Sequence, residues 1–121
     1  MKTVHVIGAG VEGQEGFSQR ALDLIENADL LLGGARQLAL FPEFSGKTFE
    51  IGDNSGQVVE RIEKASGAVV VLSSGDPLFF GIGRELLRNL PEEMLEFVPN
   101  ASSLQYAFAK IRVPWDDAIF V

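Results

Sequence analysis

Short runs of β-branched and aliphatic residues alternate along this chain with segments whose apolar positions recur three and four residues apart. Residues 3–7 are a β-branched apolar run closed by Gly8, which predicts a strand buried on both faces. Ser18 then precedes a helical pattern with Ala21, Leu24, Ile25 and Ala28 on one face and Arg20, Asp23, Glu26 and Asn27 on the other. Residues 30–32 read as a strand closed by Gly33-Gly34, residues 36–41 as a short helix stopped by Pro42, and residues 48–51 as another strand. A helix from about Ser55 places Val58, Val59, Ile62 and Ala65 together, and residues 68–72 are the most apolar strand. After Ser73-Ser74-Gly75-Asp76-Pro77 the pattern predicts a helix to about Leu90, a strand over residues 95–98, and a helix with a stripe of Leu104, Ala107, Phe108 and Ile111. Such alternation predicts the α/β class: a mainly parallel five-stranded sheet with helices on both faces. Ala118-Ile119-Phe120-Val121 reads as the first half of a further strand. The expectation is therefore a first domain over residues 1–114, with residues 115–121 opening a truncated second one.

Composition narrows the function classes. Seventeen acidic against ten basic side chains give a net charge of −7, and the basic residues are scattered singly, which disfavours a nucleic-acid partner. The absence of cysteine and the single His5 remove disulfides, thiolate zinc sites, cysteine nucleophiles and most histidine chemistry, so no metal is expected. No run approaches the roughly 20 apolar residues of a membrane span, and the expectation is a cytoplasmic protein with no membrane partner.

In a parallel sheet, ligands bind outside the carboxyl ends of the strands. The loops that would share that edge are residues 8–16, 73–77 and 99–103, together rich in Gly, Ser and Asp. Gly8, Gly10 and Gly13 form G-x-G-x-x-G in a loop between a strand and a helix, the setting of a dinucleotide fingerprint. Against that reading, no acidic residue follows the second strand for a ribose hydroxyl, and Glu12 and Glu15 put negative charge where a pyrophosphate would lie. Glycines serving only a tight turn are the alternative. Asp76-Pro77 suits the cap and first position of a helix, but Gly75, Gly81 and Gly83 call for close approach of a ligand or another backbone. Ser102 with Gln105 fits a capping box, which is compatible with ligand binding at the same helix end. His5, Tyr106 and Trp115 read as packing residues.

The run Ser73-Ser74-Gly75-Asp76-Pro77-Leu78-Phe79-Phe80-Gly81-Ile82-Gly83, followed by Val98-Pro99-Asn100-Ala101-Ser102-Ser103-Leu104-Gln105, resembles the tetrapyrrole methylase family. Within it, the similarity is to the enzymes that methylate carbon-5 of a precorrin in cobalamin (vitamin B12) synthesis. It extends from Val6-Ile7-Gly8-Ala9-Gly10 through Ala28-Asp29-Leu30-Leu31-Leu32-Gly33-Gly34-Ala35-Arg36 to Trp115-Asp116-Asp117-Ala118, essentially the whole chain. The resemblance implies two α/β domains with S-adenosylmethionine folded into the cleft between them. Carried over by position, Gly75, Asp76, Pro77 and Leu78 would line the cofactor's methionine end with Ser102 and Ser103 close by, and Gly8, Gly10 and Gly13 would face the tetrapyrrole. It also implies a homodimer at full length, with a carbon-15 methyltransferase and decarboxylase as a separate subunit or a fused domain, and an inactive fragment. Methyl transfer asks mainly for alignment and exclusion of water, so no catalytic residue is assigned, and Glu12, Glu15 and Asp76 stand equal as proton acceptors. Arg20, Arg36, Arg84 or the second domain would supply positive potential for a substrate rich in carboxylates. The competing readings are another substrate of the same family, whether a different corrin position, a diphthamide precursor or ribosomal RNA, and a non-catalytic Rossmann-like nucleotide-binding module.

Overall fold

The computed structural model describes residues 2–79 and 81–119. Five strands, β1 (Val4–Ala9), β2 (Leu30–Gly33), β3 (Lys47–Glu50), β4 (Val69–Ser74) and β5 (Leu95–Val98), form one sheet in the order β3-β2-β4-β1-β5. Every neighbouring pair is parallel. The helices are α1 (Gln19–Glu26), α2 (Ala35–Leu38), α3 (Ser55–Lys64), α4 (Gly83–Asn89) and α5 (Ser103–Ile111). Parallel neighbours require a crossover after each strand, and the crossovers cover both faces. On one face Ile7, Leu31, Val70 and Leu72 pack with Ala21 and Ile25 of α1, flanked by Leu38, Phe41 and Phe44. On the other, Val4, Val6, Leu32, Val69 and Val71 pack with Val58 and Ile62 of α3 and Leu86 of α4. The central strands β1, β2 and β4 are therefore buried on both sides, which is why they read as unbroken apolar runs.

Helix ends are closed by local chemistry. The Ser18 hydroxyl accepts the Ala21 N–H at 3.1 Å at the start of α1. Lys2 Nζ donates to the carbonyls of Glu63 (3.2 Å), Ala65 (2.6 Å) and Ile62 at the end of α3. Arg20 on α1 is paired with Glu96 on the edge strand β5, and His5 Nε2 lies 3.8 Å from the same carboxylate. The hydrogen bond from Arg20 is the main cause that holds the Glu96 carboxyl below its usual range; burial opposes it, and the charges of Arg20 and His5 add to the lowering. A lowered folded pKa means that the pair stabilises above the unfolded value of about 4.3, and that this is lost as pH falls through the folded value. With side-chain exposures of 58% and 43% the pair is solvent-screened. Glu96→Gln is expected to cost no more than about 1 kcal/mol at neutral pH, a difference that should vanish when urea unfolding is repeated at strongly acid pH.

Differences from the sequence pattern concentrate where strands meet loops. β1 runs on through Gly8 to Ala9 and β4 to Ser74, because the two pair to their ends, Gly8 opposite Ser73 and Ala9 opposite Ser74. The helix expected directly after Pro77 begins only at Gly83. Asp76 instead makes a turn, its Oδ1 accepting the Leu78 N–H at 2.9 Å and its carbonyl the Phe79 N–H at 3.0 Å. The expected strand at residues 118–121 does not form over Ala118 and Ile119, and Ile119 is 87% exposed; Phe120 and Val121 lie outside the described residues. α5 has no buried residue, and its Phe108 is covered by Trp115, stacked at 5.6 Å. No described helix is long and apolar enough to cross a membrane.

Candidate functional site

β1 lies between β4 and β5, so the chain leaves β1 in one direction across the sheet and leaves β4 in the other. Connections that diverge in this way open a crevice at the carboxyl ends of the strands. Three loops are bolted together beneath it. The Gly75 N–H donates to the Ala9 carbonyl at 2.7 Å, and the Asn100 N–H to the Gly75 carbonyl at 3.1 Å. The Asn100 side chain completes the junction: Nδ2 donates to the carbonyls of Gly8 (3.2 Å) and Gly16 (3.1 Å), and Oδ1 accepts the Ala101 N–H (2.8 Å). Nothing in the local sequence singles out Asn100, apart from the general use of asparagine to bond nearby backbone at the end of a strand.

This junction explains the glycines. A Cβ on Gly8 would stand 1.7 Å from the Gly75 carbonyl oxygen and 2.9 Å from the Asn100 nitrogen. Gly75 has φ +55°, and a Cβ there would meet the Ser102 Cα at 3.0 Å. The approach expected at Gly81 and Gly83 is to backbone, since their Cβ positions fall 2.9 and 2.5 Å from the Pro77 carbonyl.

Over the junction lies a cleft of about 690 Å³, within the usual range for small-molecule sites. Gly10 and Gly13 line one side, Gly75 and Asp76 the middle, Ser102, Ser103 and Leu104 another, and Arg36, Gln37 and Leu40 the last. Gly8 and the buried Pro77 lie behind this lining, and Leu78 is at the exposed turn beside it. Gln37 Nε2 donates to Ser74 Oγ at 3.1 Å, holding α2 against the end of β4.

The cleft presents complementary charge chemistry. Asp76 uses one carboxylate oxygen on Leu78 and leaves the other for a cationic donor. At α5 the capping box is formed, with the Ser102 N–H on Gln105 Oε1 at 2.5 Å and the Gln105 N–H on Ser102 Oγ at 3.4 Å. The N–H groups of Ser103 and Leu104, in the first turn of α5, have no helical partner and are donors for an anion. An ammonium and a carboxylate on one small molecule are thus both accommodated. A pyrophosphate is not served in the same way: Gly13 opens a short 3-10 turn over Gly13–Gly16, and α1 starts only at Gln19, so no helix terminus follows the glycine loop.

Tyr106 on α5 donates to Glu12 Oε1 at 2.6 Å, tying the third loop's helix to the first loop. That hydrogen bond, with slight burial and the carboxylate's charge, raises the phenol pKa above its usual value. The chain has one tyrosine, so an ultraviolet titration of these 121 residues reads it directly. Glu12→Gln is expected to move the phenol transition to lower pH.

Residues 3–121 match the family model of the Tetrapyrrole (Corrin/Porphyrin) Methylases. The chain is 38% identical over 113 residues to the cobalt-precorrin-7 C(5)-methyltransferase of Salmonella typhimurium, covering 93% of this chain and 56% of that protein. It is 34% identical over 118 residues to the decarboxylating precorrin-6Y C(5,15)-methyltransferase of Sinorhizobium sp, covering 96% and 29% respectively. Among solved structures, the cobalamin-biosynthesis precorrin-6Y methylase of Archaeoglobus fulgidus superimposes with a TM-score of 0.76 at 29% identity, covering 93% of this chain and 59% of that one. The uroporphyrin-III C-methyl transferase of Thermus thermophilus, complexed with S-adenyl homocysteine, gives 0.67 at 31% identity, covering 87% and 47%. The chain therefore spans 56% of one curated relative and 29% of the other.

Proposed function

Since the chain belongs to the tetrapyrrole (corrin/porphyrin) methylase family, we propose that the full protein transfers a methyl group from S-adenosylmethionine to carbon-5 of a precorrin in cobalamin biosynthesis, acting in the cytoplasm. What carries this reading is the pairing, in one cleft, of the Asp76 carboxylate with the free N–H groups of Ser103 and Leu104, on a chain 38% identical to a carbon-5 methyltransferase. When bound, S-adenosylmethionine supplies a methyl group on a sulfonium for in-line displacement by an electron-rich ring carbon. The residues of this chain have alignment and exclusion of water to provide. Asp76 receives the methionine ammonium, the α5 amides with Ser102 and Ser103 hold its carboxylate, and Gly75, Pro77 and Leu78 shape the loop around them. Gly10 and Gly13 face the tetrapyrrole, with Gly8 supporting their loop.

In this reading residues 1–114 are the family's first domain and residues 115–121 lead into a second that closes the cleft. The cleft taken alone is half a site, and these 121 residues by themselves are inactive. The full protein is a homodimer, with the carbon-15 reaction on a separate subunit or a fused domain. A corrin substrate is supported over a diphthamide precursor or ribosomal RNA by the names of the relatives above and by the −7 charge.

The test is turnover of the full-length protein with methyl-labelled S-adenosylmethionine and a precorrin, with the new methyl located by carbon NMR. Label on carbon-5 supports the proposal; label at another ring position, or none, overturns it. Asp76→Asn keeps an acceptor for the Leu78 N–H but removes the charge, and is expected to weaken S-adenosylhomocysteine binding about tenfold or more.

A further inference from the structure

An anion approaching this chain meets a net charge of −7, so a substrate rich in carboxylates needs a local cation. Of the ten Lys and Arg side chains, Arg36 is the one in the described lining of the cleft. Several of the others are engaged elsewhere: Lys2 caps α3, Arg20 pairs with Glu96, Lys64 pairs with Glu60, and Arg61 lies over the Phe49 ring at 4.7 Å. Arg36 is exposed and makes no hydrogen bond or ion pair among the described residues. Its backbone is nonetheless placed firmly, because the neighbouring Gln37 bonds Ser74 across the cleft floor.

Arg36 on α2 and the α5 amides come from different elements that line the same cleft. A carboxylate held by the Ser103 and Leu104 amides leaves the Arg36 guanidinium, which has no partner among the described residues, for a second anion. The geometry points to Arg36 as the residue that binds a peripheral carboxylate of the tetrapyrrole and so fixes the macrocycle's position in the cleft, an inference that rests on the methylase reading above. A guanidinium suits this task, since it offers two parallel N–H donors to one carboxylate and stays charged at every relevant pH.

The experiment uses the full-length protein and two corrin probes, cobyrinic acid with free carboxylates and its heptamethyl ester, with S-adenosylhomocysteine titrated separately. The parent protein should bind the acid about tenfold or more tightly than the ester. Arg36→Gln should weaken the acid about tenfold and remove most of that preference, while Arg36→Lys recovers part of it. S-adenosylhomocysteine affinity should stay within about twofold, and with precorrin KM should rise more than kcat falls. Retention of the acid preference in Arg36→Gln, absence of any preference in the parent, or loss of S-adenosylhomocysteine binding in the variant each overturns the inference; the last assigns Arg36 to the cofactor's carboxylate. Failure of the parent to bind S-adenosylhomocysteine at all would instead sink the methylase reading, and this inference with it.

Discussion

Replacing Gly8 with alanine is expected to destabilise the domain by about 3 kcal/mol or more and to abolish ligand binding in the cleft. The added methyl has no direction in which to relax. It would stand 1.7 Å from the Gly75 carbonyl oxygen and 2.9 Å from the Asn100 nitrogen, both of them backbone atoms. Gly8 is itself held in the middle of the sheet, opposite Ser73. Moving Gly75 away breaks its bond to the Ala9 carbonyl and the Asn100 bond to its own carbonyl, so overpacking of typically 1–3 kcal/mol is joined by lost hydrogen bonds of about 1 kcal/mol each. Urea unfolding of Gly8→Ala reads the loss. Gly10→Ala is the control, because its Cβ would meet the Asn100 side chain at 3.0 Å rather than a loop backbone held by hydrogen bonds, and a smaller loss is expected.

Asn100→Asp carries the second large effect, about 2–4 kcal/mol at neutral pH. The substitution keeps the acceptor for the Ala101 N–H but turns the donor of two hydrogen bonds into a carboxylate oxygen facing the carbonyls of Gly8 and Gly16. Each lost bond costs about 1 kcal/mol, and the repulsion adds to it. An ionised carboxylate facing carbonyls has its folded pKa raised, because only the protonated form can donate. The sign follows: stability is present below the unfolded value of about 3.9 and is lost as pH rises through the higher folded value. The penalty relative to the parent should therefore shrink on acidification. Asn100→Leu, which cannot titrate, should show a comparable loss without that recovery. A penalty for Asn100→Asp that is independent of pH would show that the side chain does not face these carbonyls.

What the sequence discloses follows from the range of the interactions. β1, β2 and β4 are legible because strands covered on both faces leave unbroken apolar runs, and the Ser102–Gln105 capping box is legible because its partners lie three residues apart. The parallel sheet and its carboxyl-end cleft follow from the alternation of elements. Asn100 is illegible for the opposite reason, since its partners lie 92 and 84 residues away. Gly8 looks like a loop glycine, but the collision that fixes it is with a residue on another strand's loop. Asp76-Pro77 carries a true turn signal, yet the Pro77 carbonyl takes the Gly83 N–H at 2.9 Å, and α4 starts later than the local cap pattern says. Ala118 and Ile119 have strand composition, but strand state requires a paired neighbour, and Ile119 stands exposed.

The assignment of the cleft at the ends of β1, β4 and β5 to S-adenosylmethionine rather than to a dinucleotide rests on the Asp76 carboxylate and the first-turn amides of α5. It is tested most directly by calorimetric titration of S-adenosylhomocysteine and, separately, NADH into the full-length protein and into its Gly75→Val variant, whose side chain would enter the space beside Ser102 at a φ of +55°. Micromolar binding of S-adenosylhomocysteine, none of NADH, and loss of binding in the variant are the predicted result. Binding of NADH without S-adenosylhomocysteine would contradict the account and return the glycine loop to a dinucleotide.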